Sequence, residues 1–130
     1  MNNPYSKRTP GDERKERGRR AELAAAEHLL TLGYTIVERN WRCRSGEIDL
    51  IARQGSWTII VEVRSRSSRA AGFGTALEAV TPRKITQVRS TAAVYLHQTG
   101  QSDAQVRFDV IAVTFDRIGK MELEHIQAAF

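Results

Sequence analysis

A single cysteine, Cys43, stands in the 130 residues, so neither an intramolecular disulfide nor a cysteine zinc cluster can form, and nothing demands an oxidising compartment. Cys43 is expected to be a partly buried bystander. The N-terminus has no apolar signal-like core, and no run approaches the roughly 18 apolar residues of a membrane span. A cytoplasmic protein with no membrane contact is the expectation. Internal repeats are absent. His28, His97 and His125 are scattered without metal-ligand spacing, which points to surface or packing roles. Ser65, Ser67 and Ser68 lack a histidine partner suited to a serine hydrolase. No Gly-Lys-Ser/Thr follows Gly72 and Gly74, so these glycines suit a mobile loop over DNA better than a nucleotide phosphate loop.

What is present is enough hydrophobic sequence, 41 %, for one domain with its own core. The net charge of +5 favours a polyanionic partner. Residues 1–20 hold seven Lys and Arg against three Asp and Glu and so carry +4 of that excess. Residues 1–11 read as a disordered basic tail and 12–130 as a single domain. Solubility and nucleic-acid contact explain the excess charge equally well.

Helical spacing of Leu23, Ala26, Leu29, Leu30 and Leu32 predicts a first helix from Asp12 to a stop at Gly33. A short strand is expected at 34–40, with 41–45 as its connection to the next element. Thr81 and Pro82 mark the start of a second helix that runs toward Gly100. Residues 105–115 read as a further strand and 121–126 as a short edge strand. Between Arg64 and the second helix, residues 65–76 read as a polar loop. The long crossover suits a parallel return, so the expected class is α/β with a mixed sheet flanked by helices.

Residues 46–64 dominate this pattern. Two alternating runs flank Gln54 and Gly55 and predict a hairpin. A turn centred there sets Asp49 opposite Ile60 and Glu47 opposite Glu62. One face then holds Ile48, Leu50, Ala52, Trp57, Ile59, Val61 and Val63. The other gathers Glu47, Asp49, Ile51, Thr58, Ile60, Glu62 and Arg64, with isoleucines exposed in a cleft or a dimer contact. Like charges on one face repel. A hard cation such as Mg2+ would relieve them, and its natural use is phosphodiester hydrolysis with Arg64 on the phosphate. A charge-balanced sheet surface, with Arg64 paired to Glu62, remains the alternative. Asp109 and Arg107 share one strand face and are expected to form an internal ion pair or to pack near this site.

The blocks GRRAE at 18–22, NWRCRSGEIDLIA, IVEVRSR, AVTPRK and RFDVIAV together resemble the bacterial YraN-like family, which is similar to Holliday-junction resolvases and restriction-endonuclease-like nucleases of the PD-(D/E)xK type. The resemblance implies an αβββαβ core and a Mg2+- or Mn2+-dependent nuclease. It implies Asp49 and Glu62 as metal ligands and Glu22 as an additional acid, which leaves Glu47 as an alternate ligand. The motif's lysine position falls on Arg64, which is always protonated and cannot serve as a base. Arg64, Arg66, Lys84, Arg19 and Arg20 are the expected nucleic-acid contacts, with Lys84 able to replace the missing lysine.

Three readings stand on these residues. The first is an endonuclease for branched or structured DNA, with a homodimer as one possible working form. The second is a nucleic-acid-binding module that does not cut. The third is a protein-interaction adaptor.

Overall fold

The computed structural model describes residues 7–68, 78 and 80–130. The first part of the expected tail and the glycine loop around Gly72 and Gly74 lie outside these residues. Helix α1 spans Pro10–Thr31 and starts two residues earlier than expected. Thr9 and Asp12 form a capping box, Asp12 N donating to Thr9 Oγ1 at 3.1 Å and Thr9 N to Asp12 Oδ2 at 3.2 Å. Pro10 therefore begins the helix, where its missing N–H costs no hydrogen bond. Leu32 caps the other end and Gly33 takes φ 88°, the left-handed geometry expected after a helix.

Strand β1 (Thr35–Cys43) continues through the expected connection and pairs antiparallel with β2 (Gly46–Gln54). The short turn between them works because Gly46 has φ 147°, and the Gln87 side chain lies where a Cβ would sit, 2.8 Å away. Strand β3 (Trp57–Ser67) includes Ser65 and Ser67, which the sequence pattern assigns to the loop. The β2–β3 turn is Gly55–Ser56, one residue later than expected, because Gly55 takes φ 58° at the first central position. Ile51 consequently faces Ile60, and Leu50 faces Val61. Along the paired rungs, residues 50–54 with 57–61, this two-residue shift leaves the same side chains on each face. It corrects the expected pairs Asp49 with Ile60 and Glu47 with Glu62.

Helix α2 (Pro82–Gln98) begins at the Thr81 cap, as expected, and carries the chain to β4 (Gln105–Phe115), parallel to β3. Strand β5 (Met121–Ile126) closes the sheet antiparallel to β4. The sheet order is β1-β2-β3-β4-β5. The architecture is α/β, a mixed sheet flanked by helices with the restriction-endonuclease-like αβββαβ order. Among the described residues no helix is long and apolar enough to cross a membrane.

Two cores hold the sheet. Ala21, Ala25, Ala26 and Leu29 of α1 pack on Leu50, Ala52, Ile59, Val61 and Ile111. Val88, Ala92 and Tyr95 of α2 pack on Ile48, Ile51 and Ile60. Ile51 and Ile60 are fully buried, which removes them as a cleft lining or dimer contact: α2 covers their face. Ile48 joins this second core and not that of Leu50. Trp57, expected inside, is 40 % exposed because it sits at the hairpin end.

Candidate active site

The change of side between Ile48 and Leu50 locates the site. Residues two apart in a regular strand share a face, yet Ile48 packs under α2 and Leu50 under α1. Asp49 lies between them. In β1 the same level falls between the rungs Arg39↔Leu50 and Trp41↔Ile48, and there Asn40 has φ 51°. The last paired rung of β2 and β3 on this side is Leu50↔Val61. Beyond it the Asp49 carboxylate accepts from Val63 N at 2.8 Å and takes the place of a backbone partner.

Glu62, the next residue of β3, is 3 % exposed. Its Oε1 lies 3.3 Å from Lys84 Nζ in the first turn of α2, while its Oε2 is buried without a partner. Burial first, then the Asp49 charge, pushes the Glu62 carboxyl up to about 7, against opposing pulls from Lys84 and Arg64. Burial also raises the Asp49 pKa, with Glu47 adding to it, although the Val63 amide, Lys84 and Arg64 act in the other direction. Glu22 on α1 is raised by burial and by the charges of Asp49 and Glu47. Acids from both sides of the sheet therefore feel one another at the level where the strands change face. Glu47 is 3.5 Å from Arg42 Nε.

Each of these acids has a donor of its own. Asp49 is turned to Val63 N, Glu62 to Lys84 and Glu22 to Asn40. Among the described residues no group of three or more His, Cys, Asp and Glu is arranged to hold a metal ion, and Glu22, Asp49 and Glu62 do not form one. Arg64 acts electrostatically on both Asp49 and Glu62, and its Nε is buried without a partner. Lys84 pulls on both acids as well, and it is Lys84 that lies within ion-pair distance of Glu62. The Arg64–Glu62 ion pair of the alternative reading is thus replaced by Lys84–Glu62.

The other expected contacts divide. Arg19 pairs with Glu16 and lines a groove with Glu22, Leu23, Arg39, Asn40 and Leu50. Arg20 donates to Gly119 O at 3.2 Å and lies 5.0 Å over the Phe115 ring, so it ties α1 to the β4–β5 turn. Arg66 donates to Thr114 on β4.

A second polar cluster lies where α1, β4 and β5 meet. Arg107 grips Asp109 with two 2.8 Å hydrogen bonds and donates to Tyr34 Oη at 2.7 Å. The expected ion pair is present. Asp109 also faces His125 Nε2 at 2.7 Å, and His125 Nδ1 faces His28 Nε2 at 3.0 Å. Sequence reasoning missed this chain because the two histidines stand 97 positions apart. Asn40 was missed as well, although an asparagine inside a β-prone run is itself a signal for a left-handed residue.

The profile of the family described as "Uncharacterised protein family UPF0102" matches residues 21–113, a span that includes Glu22, Asn40, Glu47, Asp49, Glu62, Arg64 and Lys84. A UPF0102 protein of Acidothermus cellulolyticus is 42 % identical over 127 residues, which are 90 % of this chain and 95 % of the relative. One from Moorella thermoacetica is 46 % identical over 118 residues, covering 90 % and 97 %. One from Geobacter sulfurreducens is 44 % identical over 113 residues, 87 % of each chain. With the family profile covering the acids, Arg64 and Lys84 of the candidate site and relatives matched almost end to end, the chain belongs to the uncharacterised protein family UPF0102.

Proposed function

We propose that this protein is a Mg2+- or Mn2+-dependent endonuclease that hydrolyses phosphodiester bonds in DNA, with branched or otherwise structured DNA as the substrate class. The observation that carries the reading is the buried Glu62 carboxylate beside Asp49, with an oxygen that no protein group satisfies. Buried polar atoms without partners are rare and call for an explanation. An oxygen-seeking divalent cation fits such a donor set, because Mg2+ binds through one or two carboxylates and keeps several waters.

Asp49 and Glu62 would hold the ion, with Glu22 as the additional acid and Glu47 as the alternate ligand. When bound, the ion supplies Lewis acidity and lowers the pKa of water. Lys84 and Arg64 present positive charge to the phosphate, and Arg64 does so in fixed protonation. Arg19 lines the groove that leads to Glu22, where a nucleic-acid backbone would run.

Purified protein incubated with branched, single-stranded and duplex DNA in Mg2+, Mn2+ or EDTA tests the reading. Cleavage is expected with either metal and none with EDTA. Cleavage that survives in Asp49→Ala or Glu62→Ala overturns the site.

The arginine at position 64 favours a second reading, a nuclease-like module that binds nucleic acid without cutting it. Salt-sensitive binding with no metal-dependent cleavage would establish it in place of the first.

A further inference from the structure

We propose that Asn40 is the positioning residue that brings Glu22 to the carboxylates of the sheet. The inference rests on the metal-site reading above and assigns a role to a residue that neither touches nor replaces the expected ligands Asp49 and Glu62. Its basis is a coincidence of backbone and side-chain geometry at one level of the sheet. Asn40 is one of two non-glycine residues with positive φ among the described residues, at 51°, and it stands level with Asp49 between two paired rungs. Asparagine tolerates this conformation better than most side chains. A left-handed residue inside a strand breaks the two-residue alternation. Here Arg39 accordingly lines the α1-side groove with Leu50, while Trp41 packs against Tyr95 under α2.

The side chain uses the same break. With its NH2 group oriented toward the acids, Asn40 Nδ2 lies 3.0 Å from Glu47 Oε1 and 3.2 Å from Glu22 Oε2. One amide nitrogen carries two hydrogens, so it donates to both carboxylates at once. Glu47 belongs to β2 and Glu22 to α1. The clamp therefore joins helix to sheet through two groups that would otherwise repel, and it sets Glu22 where the Asp49 charge acts on it. The partnerless Glu62 Oε2 on the other side of Asp49 is the independent sign that a ligand belongs at this junction.

Asn40→Gly separates the clamp from the fold, since glycine accepts positive φ and deletes only the amide. A single cooperative thermal transition shows that the variant is folded. Calorimetric titration with Mn2+ should show a loss of affinity of about tenfold or more, the scale of second-sphere partners of metal ligands. Glu22→Gln should show a similar loss, and the double substitution should lose no more than either alone. Wild-type Mn2+ affinity in Asn40→Gly beside a loss in Glu22→Gln overturns the role of Asn40 and leaves the metal site intact. Affinity untouched by both substitutions overturns it too.

If the unsubstituted protein takes up no Mn2+, the proposed function falls, and the clamp is judged by its own signal. The same signal decides if Asn40→Gly does not fold. The Asn40 side-chain NH2 resonances, measured at one pH, should move in both Glu22→Gln and Glu47→Gln. Movement in one variant only, or in neither, overturns the clamp.

Discussion

Glu62 has one oxygen on Lys84 and the other without a partner, and that imbalance sets how its charge couples to stability. Its folded pKa of about 7 stands above the ordinary glutamate value of 4.5. Between those values the folded protein binds the proton more tightly than the unfolded chain, so Glu62 favours folding below about pH 4.5, and that contribution is lost as pH rises through 7. Glu62→Gln should therefore stabilise the metal-free protein at pH 8 by about 3 kcal/mol relative to its effect at pH 4. Urea unfolding of both proteins at the two pH values measures it, and equal shifts at both would refute it. Lys84 lowers the pKa of Asp49 and Glu62. Lys84→Met should accordingly move both carboxyls further up and weaken Mn2+ uptake near pH 7, with recovery at higher pH. A calorimetric pH series would show the displaced midpoint.

At the scale of elements, the chain from Arg107 through Asp109 and His125 to His28 joins α1, β4 and β5. Asp109 is fully buried and accepts from Arg107, His125 and the Ala128 amide. Burial pushes its carboxyl up, but these donors outweigh it and leave the pKa below the ordinary value. Asp109→Asn should cost about 3 kcal/mol or more, because it leaves the Arg107 charge without its partner. Chemical denaturation checks the loss, and a change below about 1 kcal/mol would show that the pair contributes little to holding the elements together. His28 behaves oppositely to Glu62. Burial and the His125 charge lower its pKa, so the unfolded chain binds its proton more readily and stability falls as pH drops below about 6.5. His28→Gln should flatten that acid-side decline, as thermal midpoints between pH 5 and 7 would reveal.

Across the whole molecule the basic excess is placed differently from a free tail. Arg14, Lys15, Arg17, Arg19 and Arg20 all belong to α1, and residues 1–6 carry no Lys or Arg. Arg8, Lys15, Arg19 and Glu22 line one groove along this helix, so charge and candidate site are continuous. If DNA lies there, Lys15→Glu with Arg19→Glu should weaken binding and reduce the salt slope by about 0.9 for each phosphate that is no longer neutralised. Removal of residues 1–6 should leave binding unchanged. Fluorescence anisotropy over a salt series distinguishes the two, and an unchanged slope in the double variant would take α1 out of the interface.

Local patterns determined much by themselves. Thr81-Pro82 marked α2, Gly33 ended α1, and alternation in residues 46–64 sorted most of the hairpin, because each depends on neighbours a few positions away. The hairpin pattern also predicts Asp49 near Glu62, and the Asp49 charge does act on Glu62, whereas their role as ligands comes from the family resemblance alone. Period alone carried Ile48 to the side of Leu50 and left Ile51 and Ile60 open, since it contains no information about Asn40's left-handed turn or about what covers a face. Only tertiary structure decided that α2 buries those isoleucines, that Lys84 reaches Glu62, and that His28 meets His125. Such contacts arise from packing between distant segments, which places side chains together without any repeat or spacing to announce it.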